Sequence, residues 1–332
     1  MTQEQVTVLG AGNMGTALAH VIATNGHHVR LWSIEHDVLD EIRDHHRNTK
    51  YLDGVPLHEN IEAVWDLDRS VQGARLLIIS VPSQVVRGIA KDMGPLVKPG
   101  QLVLNVAKGL EADTFRRMSE ILSEELADGC APFIGSMGGP AIAIEMAKGQ
   151  PLAVIIAIAD ANSLRACQGL LQNNHLKVAT TQDVTGLELC ATLKNVYAIA
   201  LGMADGVGHG TNMKAFLASV ALDEMAAIAK ALGGQQATVY GLAGIGDLLT
   251  TGFSEHSRNR TLGEKLGADT DWQHFLRTNT VEGVTACRAI NELVKGEKTP
   301  FPLLAMIHSV LFEERPAPAA LRQFQEGFSY GG

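Results

Sequence analysis

The stretch from Val6 to Gly26 constrains the fold of this chain more than any other. Val6 to Leu9 is a short β-branched and aliphatic run, Gly10-Ala11-Gly12-Asn13-Met14-Gly15 follows at once, and Thr16 to Asn25 has a helical pattern. A strand that passes through a glycine turn directly into a helix is the context that makes a GxGxxG match informative. Gly10 permits the tight turn, Gly12 lets a pyrophosphate approach the backbone, and Gly15 lets the helix pack closely on the strand. Asn13 and Met14 lie where the helix opens, and its free N–H groups and positive dipole end suit phosphates. Gly10, Gly12, Asn13, Met14 and Gly15 are therefore candidates for binding a dinucleotide.

After Gly26, a natural helix stop, His28 to Ser33 reads as a second strand. Its end carries Ser33, Ile34, Glu35 and His36. Glu35 would repel a 2′-phosphate and no arginine follows immediately, which favours NAD over NADP, although His36 leaves both open. Asp37 to Arg47 reads as a polar helix, and the stretch on to Leu67, with Gly54 and Pro56, as charged and irregular. Ala74 to Ser80 is almost continuously aliphatic, the pattern of a parallel strand covered on both faces. It ends in Val81-Pro82-Ser83, at a strand's C-terminal end, where open α/β sheets place ligands. Gln101 to Ala107 repeats the arrangement and ends in Lys108-Gly109. Glu111 to Ala127 is expected to be an acidic surface helix. Pro132 to Ser136 is a further strand leading to the turn Gly138-Gly139-Pro140-Ala141. Helix over Ala143 to Lys148, strand over Ala153 to Ala159, helix over Leu164 to Leu171 and strand over Leu176 to Thr180 complete the alternation. This predicts a doubly wound parallel sheet of the Rossmann type.

Beyond Thr180 the β-rich pattern stops. With 332 residues, two domains are expected: a dinucleotide-binding domain over 1–180 and a mainly α-helical domain over 181–332. The second begins with a long helix, Thr185 to Gly210, apolar on nearly every side and therefore buried. Lys194 and Asn195 interrupt it. A lysine in such a helix must find a partner, line a wet cleft or lose its proton, which makes Lys194 a candidate acid or base; a snorkelling side chain is the competing reading. Asn195 lies about 100° further round. Thr211 to Leu232, Thr238 to Gly241 and Asp247 to Thr251 are further helices. Asp247, after the glycine-rich Leu242 to Gly246, is either a helix cap or part of the chemistry. Ser254 to Arg260 (SEHSRNR) has no apolar residue and reads as an exposed or cleft-lining loop in which Arg258 offers a planar fork for a phosphate. Val281-Glu282-Gly283 precedes a helix over Thr285 to Val294. Pro300 and Pro302 introduce a last helical segment, followed by a Pro/Ala-rich tail expected to be mobile.

Bulk properties narrow the function class. A net charge of −9 argues against a general nucleic-acid binder. Cys130, Cys167, Cys190 and Cys287 are widely spaced without a CxxC pair, so neither a metal site nor a disulfide framework is suggested. No secretion signal is recognisable at the N-terminus, and the longest apolar run, Leu152 to Ala159, is strand-sized. A cytoplasmic protein with no membrane span is expected.

These elements together resemble the NAD(P)-dependent glycerol-3-phosphate dehydrogenases. The resemblance runs from Val6 to about Pro302 and rests on GAGNMGTALA, VPS, AKGLE, GGPAIAIE, LKNVYAIALGMADG, GLAGIGDL, SRNR and VEG in this order. It implies interconversion of sn-glycerol 3-phosphate and dihydroxyacetone phosphate, Lys194 as acid/base, and substrate contacts from Lys108, Gly139, Asn195, Asp247, Thr251, Ser257, Arg258 and Asn259. It further implies cofactor contacts from Pro82, Lys108, Arg258, Thr280 and Glu282 beside the glycine loop, a homodimer, and a place in glycerophospholipid metabolism. One departure stands out: the bacterial members' Ser-Gly-Pro-Thr-Phe is Gly138-Gly139-Pro140-Ala141-Ile142 here. Losing the threonine hydroxyl at Ala141 keeps a different phosphorylated polyol, or a 3-hydroxy acid, as the alternative substrate.

Overall fold

The computed structural model describes residues 3–126 and 128–329. The chain forms two compact units, one of Met1–Glu111 with Arg116–Val184, the other of Ala112–Phe115 with Thr185–Gly332.

The first unit is built on an eight-stranded sheet: β1 Gln5–Leu9, β2 His28–Trp32, β3 Ile61–Val64, β4 Leu76–Ile79, β5 Leu102–Asn105, β6 Ile134–Gly138, β7 Leu152–Ile158 and β8 Leu176–Thr181. The spatial order is β3-β2-β1-β4-β5-β6-β7-β8. Strand order reverses between β1 and β4, the switch point at which such sheets open a crevice beyond their C-terminal ends. All neighbouring pairs are parallel except β6 and β7, which are antiparallel. The sheet is thus mixed, a correction to the all-parallel expectation; the short helical turn between β6 and β7 lets β7 return alongside β6, whereas a parallel partner needs a longer crossover. Along β4, Leu76 and Ile78 pack on one face with Val6 and Val8, while Leu77 and Ile79 pack on the other with Leu9 and Val103. Helices α1 Asn13–Thr24 and α2 His36–His45 cover the first face through Leu18, Ile22, Leu39 and Ile42. Helices α3 Val86–Met93 and α4 Met118–Glu125 cover the second through Val86, Met93, Ile121 and Leu122. Helix α5, Ala161–Leu171, links β7 to β8.

Three local expectations change. The irregular stretch before Leu67 contains edge strand β3, whose four residues are too few to show a period; Val29 pairs with Ile61 across it. The acidic helix expected from Glu111 begins only at Met118, because Leu110 and Arg117 form an antiparallel bridge, Glu111 N–H donates to the Arg116 carbonyl at 2.9 Å, and Phe115 turns the chain at φ +57. Ala127, its expected end, lies outside the described residues. The Pro/Ala-rich tail is helical over Ala317–Gly327, with Ala320, Leu321 and Phe324 buried.

The second unit is helical: α6 Val184–Val207, α7 Thr211–Ala231, α8 Asp247–Gly252, α9 Arg258–Gly267, α10 Glu282–Leu293, α11 Pro302–Phe312 and α12 Ala317–Gly327. Among the described residues α6 alone is long and apolar enough to cross a membrane, with a mean hydropathy of 1.2, and that window is entirely buried inside the protein. It is a core helix, longer than any uninterrupted apolar run because its polar residues break the run without breaking the helix. It crosses α9 backbone to backbone. A Cβ on Gly202 would lie 2.0 Å from the Arg260 carbonyl oxygen, and one on Gly206 2.0 Å from that of Glu264; on α9, a Cβ on Gly263 would lie 2.0 Å from the Ile199 oxygen and one on Gly267 2.4 Å from the Met203 oxygen.

Candidate active site

Lys194 sits midway along α6 and is buried. Its Nζ donates to Asp247 Oδ1 at 2.6 Å and to Thr251 Oγ1 at 2.7 Å. Asp247 and Thr251 are four residues apart on α8, so both face the same way. A single π-helical turn over Leu242–Gly246 leads into α8, and Gly246, not Asp247, holds the N-cap position. Asp247 therefore spends its carboxylate on the lysine instead of capping. Gly244 makes this turn possible: a Cβ there would lie 2.0 Å from the Val239 carbonyl oxygen. With side-chain exposures of 6% and 2%, Lys194 and Asp247 form a buried ion pair, an arrangement that survives only when both charges are matched. The snorkelling alternative is excluded by that burial.

A second polar chain lies beside it. Asn195 Nδ2 donates to Glu282 Oε2 at 3.0 Å, and Asn259 Nδ2 donates to Asn195 Oδ1 at 3.0 Å. Asn259 Oδ1 in turn accepts the Gly283 N–H at 2.8 Å. Three helices, α6, α9 and α10, are thus tied at one point, and Gly283 must be glycine because a Cβ would lie 2.5 Å from the Asn195 carbonyl oxygen. Asp247 and Thr251 thus hold the Lys194 ammonium, while Asn195 beside it is engaged with Glu282 and Asn259.

Of the polar stretch expected as a loop, Ser254 to Ser257 is a turn and Arg258 to Arg260 begins α9. Ser257 is its N-cap and accepts the Arg260 N–H at 3.3 Å. Asn259 is buried, Arg260 pairs with Asp205 of α6 at 2.7 Å, and Arg258 stands exposed at the first helical position. No hydrogen bond or ion pair engages the Arg258 guanidinium among the described residues. Polar side chains carry this segment into the core because their partners, Asp205 and Asn195, are far away in sequence. Thr280 is exposed in the connection before α10, and Glu282 is that helix's partly buried first residue.

In the first unit the glycine loop has the geometry of a phosphate cradle. Gly10 has φ +113, and a Cβ there would lie 2.3 Å from the Ser80 carbonyl oxygen; a Cβ on Gly15 would lie 1.9 Å from the Gly10 oxygen. A Cβ on Gly12 would meet nothing within 4 Å, so the one open glycine of the three is the one a phosphate would approach. No side chain caps α1 and its first turn holds no acidic residue. The residues present therefore fit a dinucleotide phosphate. Asn48 braces the loop from below, donating to the Ala11 carbonyl at 2.9 Å and to Thr16 Oγ1 at 2.8 Å; no local sequence signal connects it to residues so far upstream. Pro82 after β4, Lys108 after β5 and Gly139 after β6 follow the C-terminal ends of parallel strands, on the same sheet edge as Gly10. Gly139 adopts φ +99, which favours glycine there.

Comparison with known proteins agrees with this geometry. The family model described as NAD-dependent glycerol-3-phosphate dehydrogenase N-terminus matches residues 5–164, and that for the C-terminus of the same family matches 183–322. A glycerol-3-phosphate dehydrogenase [NAD(P)+] of Staphylococcus epidermidis is 37% identical over 324 residues, 97% of this chain and 98% of the relative. One from Exiguobacterium is 38% identical over 310 residues, covering 93% and 91%. The crystal structure of glycerol-3-phosphate dehydrogenase from Coxiella burnetii superimposes with a TM-score of 0.89 at 33% identity, covering 98% of this chain and 99% of that one. A ketopantoate reductase from Ralstonia eutropha, at 18% identity and a TM-score of 0.59, shares the fold alone. By the family matches over both halves and these near-full-length relatives, the chain belongs to the NAD-dependent glycerol-3-phosphate dehydrogenase family.

Proposed function

We infer that this protein is an NAD(P)-dependent oxidoreductase interconverting dihydroxyacetone phosphate and sn-glycerol 3-phosphate, with Lys194 as its general acid/base. The observation that carries the role of Lys194 is the ammonium held by Asp247 and Thr251 inside an otherwise apolar helix. When bound, the nicotinamide supplies or accepts the hydride at the substrate's central carbon. Reducing the ketone develops negative charge on its oxygen, and Lys194 Nζ stabilises that charge and delivers a proton to it. In the reverse direction the same nitrogen receives the proton from the alcohol. Asp247 and Thr251 fix Nζ, so its geometry is set before substrate arrives.

Phosphate recognition falls first to Arg258, whose fork is exposed while Ser257 and Asn259 beside it are already engaged within the fold. Lys108, Gly139 and Asn195 complete the proposed substrate contacts. Gly10, Gly12, Asn13, Met14, Gly15, Pro82, Lys108, Arg258, Thr280 and Glu282 are the proposed cofactor contacts. Glu35 at the end of β2 favours NAD. Four free, buried cysteines support a reducing, cytoplasmic setting, and a homodimer follows from the resemblance.

Initial rates of NADH and NADPH oxidation with dihydroxyacetone phosphate, phosphate-free ketones and short 3-oxo acids test the reading. Turnover concentrated on the phosphorylated ketone is expected; faster turnover of a 3-oxo acid would replace it with the carboxylate-specific alternative.

A further inference from the structure

Where β2 ends, the first unit carries a charge pair that the dehydrogenase reaction does not require. Ser33 is buried and its Oγ accepts the Glu35 N–H at 3.1 Å, which sets the turn into α2. Ile34 beside it is 78% exposed. Glu35 is ion-paired with Lys50, and Asp37 Oδ2 lies 3.9 Å from the same Lys50 Nζ. The Glu35 partnership holds the Lys50 ammonium above its ordinary range, and a hydrogen bond to Glu35 pushes the Tyr51 phenol up as well.

Lys50 is not a loose surface residue. It belongs to the one-turn helix Thr49–Leu52, whose N-cap is Asn48. Asn48 is the buried residue that donates to Ala11 and Thr16 under the glycine loop. The turn carrying Lys50 is therefore bolted to the phosphate cradle, and the cradle and the end of β2 are the two landmarks between which a dinucleotide's adenosine half lies. At that end an acidic side chain serves ribose hydroxyls, whereas a cation serves a 2′-phosphate. Here both are present, bound to each other.

We propose that Glu35 and Lys50 are the coenzyme-selecting pair: Glu35 accepts the ribose hydroxyls of NAD(H) with Lys50 as its counter-ion, and Lys50 leaves Glu35 for the 2′-phosphate of NADP(H). The proposal rests on the dinucleotide reading of the glycine loop. With side-chain exposures of 47% and 30% for Lys50 and Glu35, exchanging one anionic partner for another costs little. A phosphate is also the stronger acceptor for a single ammonium. Asp37 stays close to Lys50 and adds negative charge, so both coenzymes are accepted with NAD(H) preferred.

The test is direct binding. Quenching of tryptophan fluorescence, with Trp32 at the end of β2 and Trp65 bonded to it at 3.1 Å, is titrated with NADH and NADPH at low and high salt. Wild type is compared with Lys50→Met, Glu35→Gln and the double variant, thermal melting serving to show that each is folded. Lys50→Met is expected to weaken NADPH by about tenfold or more and NADH by less than about threefold, and to reduce the salt dependence of NADPH binding. Glu35→Gln is expected to shift the ratio the other way, tightening NADPH by about threefold to tenfold. The double variant should fall between. Equal effects on both coenzymes, or an unchanged ratio, would overturn the proposal while leaving the dinucleotide site intact. Failure of the wild type to bind either coenzyme would remove that reading as well.

Discussion

Lys194 and Asp247 can be tested against each other through stability and turnover together. The pair is 2.6 Å apart and almost wholly buried. Removing one member of such a pair strands the other charge, at a cost of about 3–5 kcal/mol. For a unit of this size each kcal/mol lowers the melting midpoint by about 2–4 °C, so Lys194→Met and Asp247→Leu should each melt about 6–20 °C below wild type. The double variant Lys194→Met/Asp247→Leu removes both charges of the pair and should regain much of that loss. Turnover must not follow the same course. It should be lost in Lys194→Met and stay lost in the double variant, because restored stability does not restore a proton donor. Calorimetry, initial rates and NADH titration on the four proteins separate the effects. Single variants melting within about 2 °C of wild type would refute the buried-pair energetics, and measurable turnover in the double variant would refute Lys194 as the acid.

Other outcomes follow from the same geometry. Arg258→Ala should raise KM for dihydroxyacetone phosphate about tenfold or more with a smaller change in kcat, since an exposed guanidinium contributes binding that remote phosphate recognition uses; an unchanged KM would move the phosphate site elsewhere. Gly12→Ala should melt like wild type, its Cβ entering open space, yet lose NADH affinity in a titration because that space is the phosphate's, whereas Gly15→Ala should fold poorly. Glu224 supplies a pH signature. Burial raises its carboxyl from 4.5 to about 7, against the Leu303 and Leu304 N–H groups and the Tyr197 hydroxyl that hold the charged form. Between those values the folded protein keeps a proton that the unfolded chain releases, so the contribution is full below about 4.5 and is lost as pH rises through about 7. It amounts to about 3 kcal/mol. Denaturant unfolding near the two ends of that range should show this slope in wild type and not in Glu224→Gln; identical slopes would exclude Glu224 as its source.

How much of this is legible in the chain depends on how far apart the partners lie. Ala74 to Ser80 announces a covered parallel strand because a run of aliphatic residues has few other uses, and the glycine loop is local by construction. Thr185 to Gly210 announces a buried helix for the same reason, and its lysine a partner. That the partner is Asp247 follows only from the resemblance or the structure. SEHSRNR misleads in its second half: Asn259 and Arg260 are matched by Asn195, Gly283 and Asp205, whose proximity nothing local encodes, while Glu255, His256 and Arg258 face water as a polar run ordinarily does. Edge strand β3 is short enough to vanish in a charged context, and the final helix is hidden by prolines that in fact occupy its permitted first turn. The pairing of Glu35 with Lys50 is of the same kind, since their spacing matches no helical or strand period.

The crossing of α6 and α9 bears on how this framework can diversify. Gly202, Gly206, Gly263 and Gly267 each leave no room for a single carbon, because backbone from the other helix occupies the place. Substrate preference can drift by exchanging residues at the rim, and coenzyme preference by exchanging one salt partner for another, without disturbing that crossing. A side chain at any of these four glycines would pry the helices apart and shift Asn195 and Asn259 together. The tolerance of the chain to mutation should therefore be as low at these four residues, which have no functional groups at all, as at the buried ion pair itself.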